Sequence, residues 1–470
     1  MQTRSQTLQF LAPSLWRRIA GAVHEVVQGD GDRAQTLRHA VAAFLIRVAS
    51  AGILYASQIV LARWMGTFEY GIYVFVWTWV LVLGGISSAG LSFAMIRLVP
   101  QLRETEDTAQ LRGLLFGGRL FSVGLSTFIA GAAGTLLWLF PQALAQHYVL
   151  PVFLALVCLP LYTLTDVQDG IGRGQAWMGV ALLPPYVFRP ILLLAAMTCA
   201  VGLGLPATAV TAAAAAIFAT WLSAIMQTIA LHLRLRKFLP QGPRTYAPGA
   251  WAGTALPLLV IGACEMLMQN VDVLVISMHM TPADAGIYYA AAKTMSLIMF
   301  VHYAVGSAVA SRFAALHARG DHDELRRFVR DAVNWTFWPS LAAAVAVLLL
   351  GRPLLSLFGP QFLTGYPVML ILVVGFLSRS AMGPSEFLLN MLGEQRACAH
   401  SLLVAALICV CLNLLLVPLW GLIGAATSTA AALASVAALN YFAVRRRLNL
   451  DVAIWANLKW REPRDADQTQ

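Results

Sequence analysis

Apolar runs of about 20–30 residues alternate along the chain with short polar or Pro/Gly-bearing breaks. At about 1.5 Å per helical residue, each run is long enough to cross a hydrocarbon layer about 30 Å thick. The pattern predicts twelve spans, at 39–63, 70–98, 112–140, 148–170, 178–201, 206–232, 250–280, 286–312, 330–351, 366–392, 396–418 and 421–447. Before the first span, Leu15, Ile19, Val23 and Val26 recur at helical spacing beside Trp16, Arg17 and Arg18. That spacing predicts a short interfacial helix within a segment covering 1–38. Residues 233–249 are the longest basic, Pro- and Gly-rich break near the middle. They are read as the linker between an N-lobe of six spans (39–232) and a C-lobe of six spans (250–447), with a polar tail at 448–470.

Composition agrees with this pattern and fixes an orientation. The 470 residues are 59% apolar and 11% charged, against about 45–50% and about 25% in soluble globular chains. A soluble enzyme is excluded, and the expected fold class is an all-α polytopic membrane protein. Of the 32 Lys and Arg, 25 fall in segments that share the amino terminus's side, two (Arg63, Arg352) fall on the other, and five lie inside spans. By the positive-inside rule the span number is even and both termini are cytoplasmic. The net charge of +10 is therefore a matter of topology, with a minor part in holding anionic membrane lipid, and no nucleic-acid partner is expected. The arginines of the first forty residues leave no apolar core for a secretory signal. The six cysteines carry neither a disulfide framework nor metal spacing.

The two halves repeat. Met65, Glu69, Gly71, Ile72 and Tyr73 match Met280, Asp284, Gly286, Ile287 and Tyr288 at a constant offset of 215 residues, and both stretches join the first span of a half to its second. Each half also ends in an Ala-rich span with a basic exit. Even-numbered halves re-enter the membrane in one orientation, so the repeat is parallel. Repeats of this kind build secondary transporters with a site between the halves.

Leu61–Tyr73, Asp272 followed by Ala285–Lys293, Leu357-Phe-Gly-Pro360 and Asn413–Ala426 resemble the polysaccharide-transporter family of lipid-linked oligosaccharide flippases. That family lies in the superfamily that also holds the MATE drug exporters and the lipid II flippases, and the resemblance covers about residues 40–447. It implies two six-helix lobes around a central cavity that rock between inward-open and outward-open states. Some members carry two further carboxyl-terminal spans, which the polar end of this chain is expected to lack.

Charges inside spans are costly and usually face a cavity. In the seventh span Glu265, Gln269, Asp272 and His279 form one stripe, and in the tenth Arg379, Glu386 and Asn390 share a face. Arg379, Lys293, Arg189 and Arg47 are the candidate substrate-binding cations, with Glu265, Asp272 and Glu386 as coupling groups or counter-ions and Gln269 and Asn390 as polar lining. Were Arg119 included, five inward-facing cations would make a positive cavity. Arg119, Asp166 and Asp169 are expected instead at the interface, by snorkelling, and His302 and Met295 in packing. Gly170-Ile-Gly172-Arg-Gly174 is read as a turn between spans four and five. The Asn334-Trp-Thr336 acceptor falls on the cytoplasmic side. Without a phosphate-binding loop, nucleophilic triad or metal cluster, the chain is no enzyme and carries no cofactor beyond a coupling Na⁺ or H⁺.

The leading expectation is a flippase in the bacterial inner membrane. It would carry a polyprenyl-diphosphate-linked oligosaccharide outward by alternating access, working as a monomer beside a polysaccharide polymerase and chain-length machinery. Arginine suits a diphosphate because its planar fork matches phosphate oxygens. The alternative is a MATE-like exporter of small organic cations driven by Na⁺ or H⁺, which would want a cavity dominated by acids. A glycan polymerase or ligase would need a large extracytoplasmic loop, and the outward loops read here are short.

Overall fold

In the computed structural model, the described residues are 32–459, so the predicted interfacial helix around Leu15–Val26 lies outside them. The elements are α1 (Asp32–Ser87), α2 (Leu91–Glu104), α3 (Thr108–Leu139), α4 (Gln146–Gly174), α5 (Met178–Gly202), α6 (Ala209–Phe238), α7 (Pro248–His279), α8 (Pro282–Arg319), α9 (His322–Leu349), α10 (Gly351–Phe358), α11 (Pro360–Met391), α12 (Gln395–Leu448) and α13 (Ile454–Lys459). Among the described residues there is no strand, and ten helices are long and apolar enough to cross a membrane.

Two of those ten hold two crossings each. The 56 residues of α1 would measure about 84 Å if straight, and the 54 of α12 about 81 Å, both far beyond one bilayer. Each turns back at a glycine with positive φ, Gly66 (72°) and Gly421 (58°), a region that side-chain-bearing residues seldom enter. The reversal is visible in the contacts. Tyr70 donates to Gln58 Oε1 at 3.0 Å across twelve residues, which a straight helix would hold about 18 Å apart. A Cβ on Gly424 would meet the Leu416 carbonyl oxygen at 2.1 Å. Twelve crossings result, in two six-helix lobes.

Several crossings are interrupted in mid-membrane. The second breaks at Ala89–Gly90, both with positive φ, and the fifth passes through a π turn at Pro184–Phe188. The eighth breaks between Ser296 and Met299, and the tenth at Met382–Pro384, where Gly383 has φ 55°. Irregular backbone at membrane depth is tolerated where it is enclosed by protein or lines a cavity. The breaks of the fifth and eighth crossings line internal space, through Pro185 and Tyr186 and through Ser296 and Met299.

Two details differ from the sequence reading. Gly170, Gly172 and Gly174 are not a turn: they end α4 as close-packing positions, where a Cβ on Gly170 would meet the Ser92 carbonyl oxygen at 2.1 Å and one on Gly172 the Ala181 Cβ at 2.9 Å. The turn comes one step later, where Ala176 has φ 58°. Nor does a wholly polar tail follow α12. Leu450, Val452, Ala453 and Ile454 are buried in a cluster with Leu325, Val329 and Tyr441, and Trp455 lies 6.0 Å from the Tyr441 ring.

Candidate functional site: two adjoining chambers

The two repeated stretches meet each other. Gly71 and Gly286 face across the junction of the halves so closely that a Cβ on Gly71 would lie 1.7 Å from the Pro282 carbonyl oxygen, and one on Gly286 2.9 Å from that of Thr67. Around this contact, side chains of one half seal against the other. Tyr55 shares a hydrogen bond with Thr294 at 2.9 Å and packs on Phe358. Tyr70 lies against Phe362 and Tyr289, and Thr67 donates to Gln361 at 3.0 Å. The end of the bundle opposite the 233–249 linker is closed by this layer.

Toward the linker side, two chambers share Gln269 and Phe300. The smaller, about 290 Å³, holds Asp272, Lys293 and Arg379 among Tyr288, Tyr289, Tyr303 and Thr429. The larger, about 570 Å³, holds Asp166, Asp169, Arg173, Arg189 and Glu265 with Ser50 and Tyr186.

Each expected residue has a definite place. Arg379 is ion-paired with Glu386, which is also 3.4 Å from His302 Nε2, and the three side chains are 19%, 16% and 1% exposed. Glu386 thus stands behind Arg379 rather than in the chamber wall. Asp272 is buried and accepts from the Tyr288 hydroxyl at 2.7 Å, the Thr429 hydroxyl at 3.3 Å and the Val273 amide at 2.8 Å. Lys293 lies over the Tyr289 ring, 5.0 Å from its centroid. Arg189 sits between Trp77 and Tyr162, at 5.1 and 5.4 Å. Among the described residues, neither Lys293 nor Arg189 is in an ion pair. The stripe of α7 serves both chambers: Glu265 faces the larger, Asp272 the smaller and Gln269 both, while His279 is at the helix end, 3.1 Å from the Val275 carbonyl oxygen. The Arg47 side chain lies outside the described residues, although its neighbours Ile46 and Ser50 line the larger chamber.

Three expectations need correction. Asn390 does not continue the face of Arg379, because the break at Met382–Pro384 resets the helix and leaves Asn390 exposed and outside both chambers. Asp166 and Asp169 are not interfacial. They line the larger chamber, Asp169 in an ion pair with Arg173. Arg119, by contrast, lies outside the cavity as expected, in a crevice beside the linker. Among the described residues the cavity charges balance: Arg173, Arg189, Lys293 and Arg379 are matched by Asp166, Asp169, Glu265 and Asp272. The stripe Asp166, Asp169, Arg173, at i, i+3 and i+7, was the signal in the sequence, since three ionisable groups on one helical face seldom point at lipid. His302 left no such signal.

Residues 257–419 match the MatE family. Among curated proteins none matches the sequence. Among solved structures, an inward-facing multidrug resistance MATE family transporter of the MOP superfamily superposes with TM-score 0.68 at 14% identity, over 86% of this chain and 98% of that one. Lipid II flippase MurJ in an inward closed conformation superposes equally well, TM-score 0.68 at 14% identity, over 86% and 87%. The chain has the fold of a MOP-superfamily transporter. An outward-facing multidrug resistance MATE family transporter of that superfamily fits less closely, TM-score 0.60 at 15% identity, over 87% and 95%. Within the MOP fold, the match to the MatE family falls on crossings seven to eleven, the half that supplies Asp272, Lys293 and Arg379.

Proposed function

We propose that this chain is an alternating-access carrier that moves a polyprenyl-diphosphate-linked oligosaccharide across a bacterial inner membrane, with the linker side and both termini cytoplasmic. The carrying observation is the pair of cavity cations without carboxylate partners, Lys293 and Arg189, each held on aromatic rings. A cation that makes no direct ion pair in a chamber wall keeps its donors open to a ligand anion, and a diphosphate supplies one. Tyr186, Tyr289 and Tyr303 line the chambers and would meet the sugar rings, and the polyprenyl tail stays in lipid. The closed end opposite the linker makes this the state that receives substrate from the linker side.

A second reading has an observation of its own. Asp166, Asp169 and Glu265 gather in the larger chamber, and Asp272 is buried with two hydroxyl donors. Such groups suit a Na⁺- or H⁺-coupled exporter of organic cations, or a coupling site within the flippase. Transport by Arg189→Gln and Lys293→Gln proteins decides between the substrates. In proteoliposomes, flipping of a polyprenyl-diphosphate sugar should fall at least tenfold in each variant at wild-type protein level. Undiminished flipping, or cation export that survives only in the wild type, overturns the flippase reading.

A further inference from the structure

A third and larger space, about 1030 Å³, lies outside the central cavity, between α3, α4, α6 and the linker, and shares no residue with either chamber. Its wall carries Arg112, Arg119, Arg236, Arg244 and His232 and no carboxylate, beside the apolar Phe116, Leu120 and Val123. Arg112 is spent on the fold, donating to the carbonyl oxygens of Pro240 at 2.8 Å and Pro243 at 3.3 Å, so it clasps the linker over the mouth. Arg119 and Arg244 are not spent. Arg119 gives only its Nε, to the Leu115 carbonyl oxygen at 2.7 Å, while Arg244 lies flat on Phe116 at 4.1 Å. Among the described residues no carboxylate pairs with Arg119, Arg236 or Arg244.

A second, independent feature points to a ligand. Gln168, fully buried on the crevice wall, donates through Nε2 to Thr228 at 2.8 Å, but its Oε1 has no partner. Buried amide oxygens are normally satisfied. The depth also constrains the occupant. Arg119 stands eleven residues inside α3, about 16 Å along the helix, and the flanking Phe116 and Leu120 are exposed.

We propose that this crevice is a site for one anionic glycerophospholipid of the linker-side leaflet. The Arg119 and Arg244 guanidiniums would hold its phosphate, Gln168 would accept from a headgroup hydroxyl, and the acyl chains would lie along Phe116, Leu120 and Val123. An exposed apolar rim beside cations that lack acidic partners fits a phosphodiester on hydrocarbon chains better than a soluble anion. A hydroxyl-bearing headgroup such as phosphoglycerol also satisfies the orphan amide.

The test uses the full-length protein in neutral detergent, titrated with phosphatidylglycerol and followed by native mass spectrometry. The wild type should bind one phosphatidylglycerol in preference to phosphatidylcholine. Each cation near a lipid phosphate contributes about fivefold to affinity, so Arg244→Gln should weaken binding about fivefold and Arg119→Gln with Arg244→Gln about thirtyfold. Gln168→Leu should reduce the preference for phosphatidylglycerol over phosphatidic acid. Arg244 is exposed, so its variant keeps the test decisive even where the double variant folds poorly. Equal binding of phosphatidylcholine, unchanged binding by Arg244→Gln, or displacement of the lipid by millimolar inorganic pyrophosphate overturns the proposal, the last by making a soluble anion the ligand. None of these readouts involves transport, so they stand apart from the carrier reading.

Discussion

Replacing Gly71 by Ala should wedge open the end of the molecule opposite the linker. The new Cβ would sit 1.7 Å from the Pro282 carbonyl oxygen and 2.5 Å from its carbon, both backbone atoms. Ordinary contact begins at 3.4 Å, so the two hairpins must part by about 1.7 Å, more than a packed interface absorbs by rotamer changes. Gly286→Ala is the built-in control, because its Cβ meets the Thr67 oxygen at 2.9 Å and the Gly71 amide at 3.2 Å and needs only about half an ångström. Overpacking costs about 1–3 kcal/mol. Since the clash is between halves and absent once they separate, that cost falls on the closed state alone. It lowers the closed population about 5- to 150-fold for Gly71→Ala, with Gly286→Ala at or below the bottom of that range. Spin labels on the exposed Trp64 and Met278, in a background with the six native cysteines replaced, report the separation by double electron–electron resonance. Gly71→Ala should move the distribution to longer distances and slow transport, while protein level and helicity stay normal. A Gly71→Ala distribution and transport rate identical to wild type would refute the assignment of this contact as the closure.

Glu386→Gln removes the partner of Arg379, whose side chain is only 19% exposed; stranding a buried charge costs about 3–5 kcal/mol. The partial exposure favours the lower end, read as a drop in thermal stability, and a variant as stable as wild type would show that the pair carries no structural load. Tyr288→Phe takes the 2.7 Å donor from Asp272, a charged-group hydrogen bond worth about 1.5–3 kcal/mol, and should destabilise more than Asp272→Asn, which still accepts. If Asp272 couples an ion, Asp272→Asn should be well folded yet insensitive to a Na⁺ or H⁺ gradient, and gradient-dependent transport by that variant would remove it from coupling.

The span count was legible because an apolar run of bilayer length has few other uses in a folded chain. Register between the halves was legible because the turn glycines and tyrosines recur at one offset. Helix facing was much less so. A helix buried on one side by protein and bathed on the other by lipid is apolar all round, so periodicity does not say which side Arg119 or Arg379 occupies. Arg119 and Arg189 look alike in sequence, each one cation in an apolar helix. Only the packing sends the first to an outer crevice and the second between Trp77 and Tyr162. The breaks at Ala89–Gly90 and Met382–Pro384 are illegible in the sequence for a related reason. One glycine in a long apolar run costs about 1 kcal/mol, too weak a signal to separate a hinge from a close-packing site. The acids of α4 form a readable stripe, but a stripe near the end of a span is equally what snorkelling to the interface would produce. Asn390 was misplaced because i+11 spacing has meaning only along an unbroken helix.

The Gly71–Gly286 contact joins equivalent positions of two parallel repeats, which puts it at the pseudo-twofold axis. A surface that meets its own equivalent across a twofold axis is isologous, the kind of patch that closes a symmetric dimer. Two identical half-length chains would need no further invention to form this closure, since each already carries both sides of it. Joining them by a linker frees each copy to drift. Where one half keeps Ser57 and Thr78, the other carries Asp272 and Lys293 at the same offset. The seam therefore keeps its symmetry, while the broken symmetry a few turns away lets a chemically distinct site arise in one half alone.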